Sequence, residues 1–384
     1  MEPQSQLTAA KGPVPTHAAT PAKPTTSAAG PAVDVLSVLS TVSAAHEAVS
    51  LSATLCELRA FVGSDLAEVE SGLTALAEGA RLDDGRGGEP VRNSTRHLLG
   101  LSGKRLRPLC VALAARVGSG FSPATRELAI AVELVHSATL LHDDVIDLGD
   151  KRRGKETARV LYGNAASIYA GDWLLVDALR RIQRAAIPGL LDMSLSVLNE
   201  ILEAEAVQLA NRGNVRGTVA DYFRIVEGKT ASLFRWALFA GGRAGGVELP
   251  LCHALERYGQ NLGVAFQIVD DVLDLAGDPA VVGKSLYADL HEGKMTYPLL
   301  LAIEREPALG TALEAACAAS ALCLDPALEQ RITKVLRETG IVEQCLTLAR
   351  KLSREAVAEL SALPPSRART ALEQVAVALV HREK

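Results

Sequence analysis

Residues 133–147 read Glu133-Leu-Val-His136-Ser-Ala138-Thr139-Leu-Leu-His142-Asp143-Asp144-Val-Ile-Asp147, an apolar run closed by three aspartates. Asp143 and Asp147 stand four residues apart, on one face of a helix, where like charges oppose helix formation by about 0.2–0.5 kcal/mol. The apolar flanks imply a helix packed in the core. Repulsion is stronger there, so a positive partner is required. Hard carboxylate oxygens with no cysteine beside them suit Mg²⁺, which keeps water ligands and takes further oxygens from a phosphorylated substrate.

The spacing returns in Phe266-Gln267-Ile-Val-Asp270-Asp271-Val-Leu-Asp274, again within an apolar stretch. One DDxxD can be a solvated helix face, but two in apolar helices fit facing clusters that hold a diphosphate between them. His142 reads as a structural hydrogen-bonding residue and is left out of the metal site.

Working outward, apolar residues recur at spacings of three and four: Leu109 and Leu113, then Leu128, Val132 and Val135, then Leu198, Leu202, Ala206 and Leu209. Alternating patterns with hairpin turn signals are missing and aromatics make up only 4%, which argues against a β domain. Glycine and proline breaks at 85–88, 118–123, 188–189, 211–217, 241–250, 277–283 and 364–365 divide the chain into roughly ten or more helices. The fold class expected is all-α, a single large helical bundle with a central cavity. Residues 1–33, dominated by Ala, Pro and Thr, read as a disordered tail, and 34–384 as one helical domain.

A net charge of −5 excludes nucleic acid as the principal partner and means that phosphorylated ligands need local positive charge. Three groups supply it: Gly103-Lys104-Arg105-Leu106-Arg107-Pro108, Lys151-Arg152-Arg153-Gly154 and Gly228-Lys229-Thr230. Arginine forks grip phosphate oxygens in pairs, and lysine acts as a compact point charge. Gly228-Lys229-Thr230 and Gly283-Lys284-Ser285 resemble the end of a nucleotide-binding loop. That loop needs a glycine where Phe223 and Asp278 stand, and no strand precedes either, so nucleotide hydrolysis is rejected. The six scattered cysteines form no CxxC pair and read as reduced, packed thiols. No apolar run is long enough for a membrane span and the N-terminus lacks a secretory signal, so the expected location is cytoplasmic.

Taken together, GKRLRP at 103–108, HSATLLHDDVIDLGDKRRG at 136–154, GNAASIYAGDW at 163–173, GKT at 228–230, and FQIVDDVLD with GKSLYADLHEGKMTYPLL across 266–300 resemble the trans-isoprenyl (polyprenyl) diphosphate synthases. The likeness is greatest to the long-chain branch, octaprenyl to decaprenyl synthases, which supply quinone side chains. The resemblance implies the isoprenoid synthase fold and a prenyltransferase that joins isopentenyl diphosphate to an allylic diphosphate. By it, Lys104, Arg107, His136 and Arg153 hold isopentenyl diphosphate, and Arg152, Lys229, Thr230, Gln267 and Lys284 hold the allylic substrate. Asp143, Asp147, Asp270 and Asp274 are the implied Mg²⁺ ligands, for three ions with substrate bound. Asp144 and Asp271 point partly away on a helical wheel and support them. Ser102 departs from the pattern, because many relatives carry a second glycine there.

The chemistry explains these residue types. Ionising the allylic C–O bond separates a cation from diphosphate, and the barrier falls when Mg²⁺, Arg152 and Lys229 already neutralise the leaving charge. The dipoles of Gln267 and Thr230 steady the cation, and the isopentenyl alkene attacks before a proton is lost. No side-chain nucleophile is required, in keeping with the absence of a Ser-His or Cys-His motif.

In this family the residues preceding the first cluster line the tunnel for the growing chain. Here these are Ala138 and Thr139, with Ala138 about 7.5 Å up the helix from Asp143 at roughly 1.5 Å per residue. Leu175 and Leu179 are the floor candidates. A small residue leaves the tunnel open, so the expected product is C40 to C50. A geranylgeranyl-type synthase and a subunit of a heteromeric synthase are the alternatives. A terpene cyclase would need neither GKRLRP nor a second DDxxD. The resemblance also implies a homodimer, with product release at a membrane.

Overall fold

The computed structural model describes residues 48–79, 88–101, 103–277, 286–318 and 325–381, so the expected tail at 1–33, Ser102 and Lys284 lie outside it. Helices α1 (Ala48–Gly79), α2 (Glu89–Leu99) and α3 (Leu106–Ala115) precede α4 (Pro123–Ile146), the helix of the first aspartate cluster. Ser122 caps α4, its Oγ accepting from the Thr125 amide at 3.2 Å, and Pro123 presets the first turn. Leu128, Ile130, Val132 and Leu134 point in different directions around α4 and all are buried, as expected of a helix running through the core.

After α4 comes an element with no counterpart in the helical pattern of the sequence, an antiparallel ladder of β1 (Lys151–Arg152) with β2 (Lys155–Glu156). Its two turn residues, Arg153 and Gly154, both take left-handed backbone angles (φ 53° and 75°), the requirement of a type I′ hairpin. Arg153 is tied there by its Nη1, which donates to the Leu101 carbonyl at 3.2 Å. With two residues per strand, the hairpin leaves the fold all-α.

Next come α5 (Ala158–Tyr162), α6 (Asn164–Ala185) and α7 (Leu190–Ala210). Small residues let α6 approach α4 closely: Ser167 Oγ donates to the Leu141 carbonyl at 3.0 Å, and a Cβ added at Gly171 would stand 2.3 Å from His142 Nε2. His142 therefore lies between two helices, 3.2 Å from the Ile168 carbonyl and 3.3 Å from Asp172 Oδ1. On α7 the buried stripe is Val197, Ile201 and Ala204, whereas Leu202 and Leu209 of the periodic set face outward.

Helix α8 (Val219–Val226) opens with a reciprocal capping box between Thr218 and Asp221. It runs through a π turn (Glu227–Ala231) into α9 (Ser232–Ala244). Helix α9 continues past the break expected at Gly241, because Gly241 and Gly242 permit close packing: added Cβ atoms would meet the Val111 carbonyl at 2.3 Å and Leu255 Cδ1 at 2.9 Å. The long α10 (Leu249–Ala276) carries the second cluster and is anchored by Tyr258, whose hydroxyl donates to the Leu372 carbonyl at 2.7 Å.

The remaining helices are α11 (Ala288–His291), α12 (Tyr297–Arg305), α13 (Pro307–Ala318), α14 (Pro326–Glu338), α15 (Ile341–Glu359) and α16 (Arg367–Val380). One apolar core surrounds α4 and α9, and a second joins the end of α10 to α12, α14 and α15. Cys110, Cys252, Cys317 and Cys345 are free thiols, and burial pushes those of Cys110 and Cys345 up to about 12. No described helix is long and apolar enough to cross a membrane.

Candidate active site

The last turn of α4 and the last two turns of α10 bring the aspartates to one region of the bundle. Asp143 lies 3.3 Å from Lys229 Nζ, and Lys229 also stands 2.7 Å from Glu205 Oε1 on α7. Asp147 receives Lys294 Nζ at 2.8 Å and Arg212 Nη1 at 3.6 Å. Burial disfavours the Lys229 and Lys294 ammonium groups, but the facing carboxylates outweigh it and hold both above the usual lysine range. Burial and Asp143 together raise the Glu205 carboxyl, against the pull of Lys229.

The middle aspartates face inward. Asp144 is buried and takes Arg152 Nη2 at 2.8 Å and Nε at 3.0 Å. The guanidinium expected on the allylic diphosphate is thus paired with the first cluster itself. Asp271 is also buried and accepts from the Tyr222 hydroxyl at 2.6 Å and from Gln267 Nε2 at 2.8 Å. Asp274 accepts from the backbone amides of Ala288 and Asp289 at 3.2 and 3.3 Å, so this carboxylate also secures the chain leading into α11.

Between α8, the π turn, α10 and α12 lies a cavity of about 140 Å³, lined by Lys229, Thr230, Gln267, Asp271, Asp289 and Lys294 among others. Thr230 reaches it because the π turn adds a residue to the helix there, and its Oγ1 donates to Gln267 Oε1 at 2.9 Å.

A second basic group gathers around the loop before α3. Arg105 adopts a left-handed backbone (φ 46°), and its side chain ties Glu70 to Glu133, each at 2.6 Å. Burial opposes its charge, but Glu133 and Glu70 raise its pKa above the ordinary arginine value. Arg107 lies over the Phe234 ring, 4.8 Å from its centroid, and its buried Nε has no hydrogen-bond partner among the described residues. His136 is held well below the usual imidazole range by burial and by the charges of Arg107, Arg153, Arg152 and Arg105, and is therefore neutral. Gly103 and Arg153 are neighbours: a Cβ at Gly103 would stand 3.3 Å from Arg153 Nη1. The GKRLRP loop and the KRRG hairpin thus form one basic corner, with Lys104 half-buried in it.

Ala138 is buried, Thr139 Oγ1 donates to the His136 carbonyl within its own helix at 2.8 Å, and Leu175 and Leu179 are half-buried on α6. Glu205, Arg212, Lys294 and Tyr222 belong to the site without having been singled out from the sequence. Lys294 lies within the segment GKSLYADLHEGKMTYPLL. The other three carry no local signal, because their roles depend on which helices meet.

The donors fit a hard divalent cation: carboxylates already balanced by ammonium and guanidinium groups, with no sulfur or imidazole ligand. Among the described residues no three such side chains converge on one point.

The fold is that of an all-α prenyltransferase. The polyprenyl synthetase family model matches residues 89–337, and the chain belongs to that family. It is 36% identical to octaprenyl diphosphate synthase of Escherichia coli over 287 residues, 73% of this chain and 87% of that one. A polyprenyl synthase from Caulobacter crescentus, solved with calcium and isoprenyl diphosphate, matches with a TM-score of 0.78 and 35% identity over 85% of this chain and 98% of its own. A decaprenyl diphosphate synthase from Rhodobacter capsulatus matches with a TM-score of 0.75 and 31% identity over 85% and 98% of the two chains.

Proposed function

We propose that this enzyme adds isopentenyl diphosphate head-to-tail to allylic diphosphates and builds an all-trans polyprenyl diphosphate of C40 to C50 for quinone side chains. The observation that carries the reading is the pairing of Lys229 with Asp143 and of Lys294 with Asp147, at 3.3 and 2.8 Å. Cations and carboxylates are interleaved there, ready to exchange partners when a metal-bound diphosphate enters. The octaprenyl and decaprenyl names of the relatives support the chain length, as does the small residue at Ala138.

Asp143, Asp147, Asp270 and Asp274 would hold Mg²⁺, which supplies positive charge to the leaving diphosphate oxygens. Lys229, Lys294 and Arg152 add donors to the same oxygens, and Lys284 is assigned to them by its motif. Lys104, Arg107 and Arg153 hold the isopentenyl diphosphate, and the neutral His136 can donate one hydrogen bond to it. Gln267 Oε1 and Thr230 Oγ1 present lone pairs to the allylic cation. The proton lost after condensation passes to the departing diphosphate, so no side chain needs to act as base.

The working unit is a homodimer in this reading. Leu195, Leu202 and Leu209 recur every seven residues along α7, 49–68% exposed, with Ile168, Tyr169 and Val176 exposed on α6. A second copy presenting the same stripe would bury it. Leu202→Glu should then give a monomer by sedimentation. The free thiols, buried at Cys110, Cys252 and Cys345, are compatible with a cytoplasmic setting, with the lipid product released at a membrane.

The decisive experiment incubates the purified chain with labelled isopentenyl diphosphate, farnesyl diphosphate and Mg²⁺, with and without EDTA, and sizes the dephosphorylated products. Metal-dependent C40 to C50 alcohols are expected. Extension that stops at geranylgeranyl length would overturn the long-chain assignment, and no incorporation would overturn the reaction.

A further inference from the structure

Gln267 is held by its neighbours in one orientation. Its Oε1 accepts from Thr230 Oγ1 at 2.9 Å, and its Nε2 donates to Asp271 Oδ1 at 2.8 Å. The other Asp271 oxygen accepts from the Tyr222 hydroxyl at 2.6 Å. Tyr222 and Asp271 are 6% and 2% exposed, and the Tyr222 ring stacks on Tyr297 at 5.6 Å between centroids and 25° between planes. All four members of the chain Tyr222, Asp271, Gln267 and Thr230 line the cavity that also holds Lys229 and Lys294.

The two ends of a glutamine amide have nearly the same shape and opposite polarity. With the oxygen toward the cavity, a developing allylic cation meets partial negative charge. Turned over, the amide would offer it N–H groups and repel it. A flip would also set Gln267 Oε1 against Asp271 Oδ1, two acceptors at hydrogen-bond distance. Both Asp271 oxygens accept from neutral donors, the Tyr222 hydroxyl and the Gln267 amide.

We propose that Tyr222 and Asp271 are positioning residues which lock the Gln267 amide with its carbonyl oxygen toward the allylic carbon. The inference rests on the prenyl-transfer reading above and deepens it: Tyr222 fixes Asp271, Asp271 fixes the amide, and the amide oxygen faces the reacting carbon. An asparagine at position 271 presents both a donor and an acceptor and would tolerate either orientation. A phenylalanine at position 222 keeps the ring packing and removes only the anchoring hydroxyl.

The test compares the unaltered chain with Asp271→Asn, Tyr222→Phe and the double variant, all full length and checked for an unchanged thermal midpoint. Expected is a fall in kcat of about 100-fold for Asp271→Asn, in the range of losing one preorganised electrostatic contact. The KM for the allylic substrate and the Mg²⁺ concentration for half-maximal rate should stay within about twofold. Tyr222→Phe should lose roughly tenfold, and the double variant no more than Asp271→Asn alone, because the two act in series. A fluorinated allylic diphosphate, which ionises reluctantly, should be slowed more in Asp271→Asn than in the unaltered chain.

A tenfold rise in the Mg²⁺ requirement, with kcat restored at saturating metal, would overturn the proposal and assign Asp271 to the metal. Effects on KM alone, or losses that multiply in the double variant, would also overturn it. Failure of the unaltered chain to incorporate isopentenyl diphosphate overturns the reaction itself, whereas an active chain with fully active variants overturns this inference alone.

Discussion

Gly263 on α10 faces Ala231 of the π turn so closely that a Cβ added to the glycine would stand 2.5 Å from the Ala231 Cα. The contact is backbone against backbone, so neither side can swing away. It lies one helical turn before Gln267 and beside Thr230, and it sets the spacing across which those two side chains meet at 2.9 Å.

Gly263→Ala is therefore expected to push the π turn outward. The overpacking should cost about 1–3 kcal/mol of stability, and turnover should fall because Thr230 and Gln267 separate. Thermal denaturation and steady-state kinetics check both. A variant with wild-type stability and rate would mean that the turn yields freely.

Ala138 is buried about one and a half turns before the first aspartate cluster, where the growing chain is expected to pass. Ala138→Phe fills that space and should shorten the product by several isoprene units while leaving the first condensation intact. Chromatographic sizing of the dephosphorylated alcohols reads this directly. An unchanged product length would refute the tunnel assignment.

Glu133 and Arg105 form a buried ion pair at 2.6 Å beneath the basic loop. Removing one partner of such a pair leaves an uncompensated charge, and Glu133→Gln should destabilise the fold by about 3 kcal/mol, the lower end of the usual range because Glu70 still faces Arg105. Urea unfolding measures the loss. Arg105 is also left-handed, a conformation that costs an arginine about 1–2 kcal/mol, so the loop should loosen and KM for isopentenyl diphosphate should rise.

His136 is held below its ordinary value of 6.5 by burial and the surrounding arginines. The unfolded chain takes up a proton near pH 6.5 while the folded chain does not. Stability should therefore fall as pH drops below that point, by up to about 1.4 kcal/mol per pH unit. Urea midpoints at about pH 7.5 and about pH 5.5 give the slope, and His136→Gln should flatten this contribution. An equal slope in the variant would place the titration elsewhere.

By itself the sequence determined the helical class, the two DDxxD segments and the three basic groups. Each rests on short-range spacing: residues three or four apart share a helix face, and an aspartate run within an apolar stretch needs cations wherever it is placed. That Asp144 and Asp271 point partly away from the other aspartates also follows from the helical wheel. Only the tertiary structure decided which cation meets which carboxylate. Arg152 turns to Asp144, Lys294 comes to Asp147 from far along the chain, and Glu205 joins Lys229 because α7 packs beside the π turn. Which face of α7 is buried was likewise open, since Leu202 and Leu209 fit the same period as the core. The π turn and the Arg153-Gly154 hairpin were hidden for the same reason: a local backbone departure is stable only when packing across helices, such as Gly263 on Ala231, holds it in place.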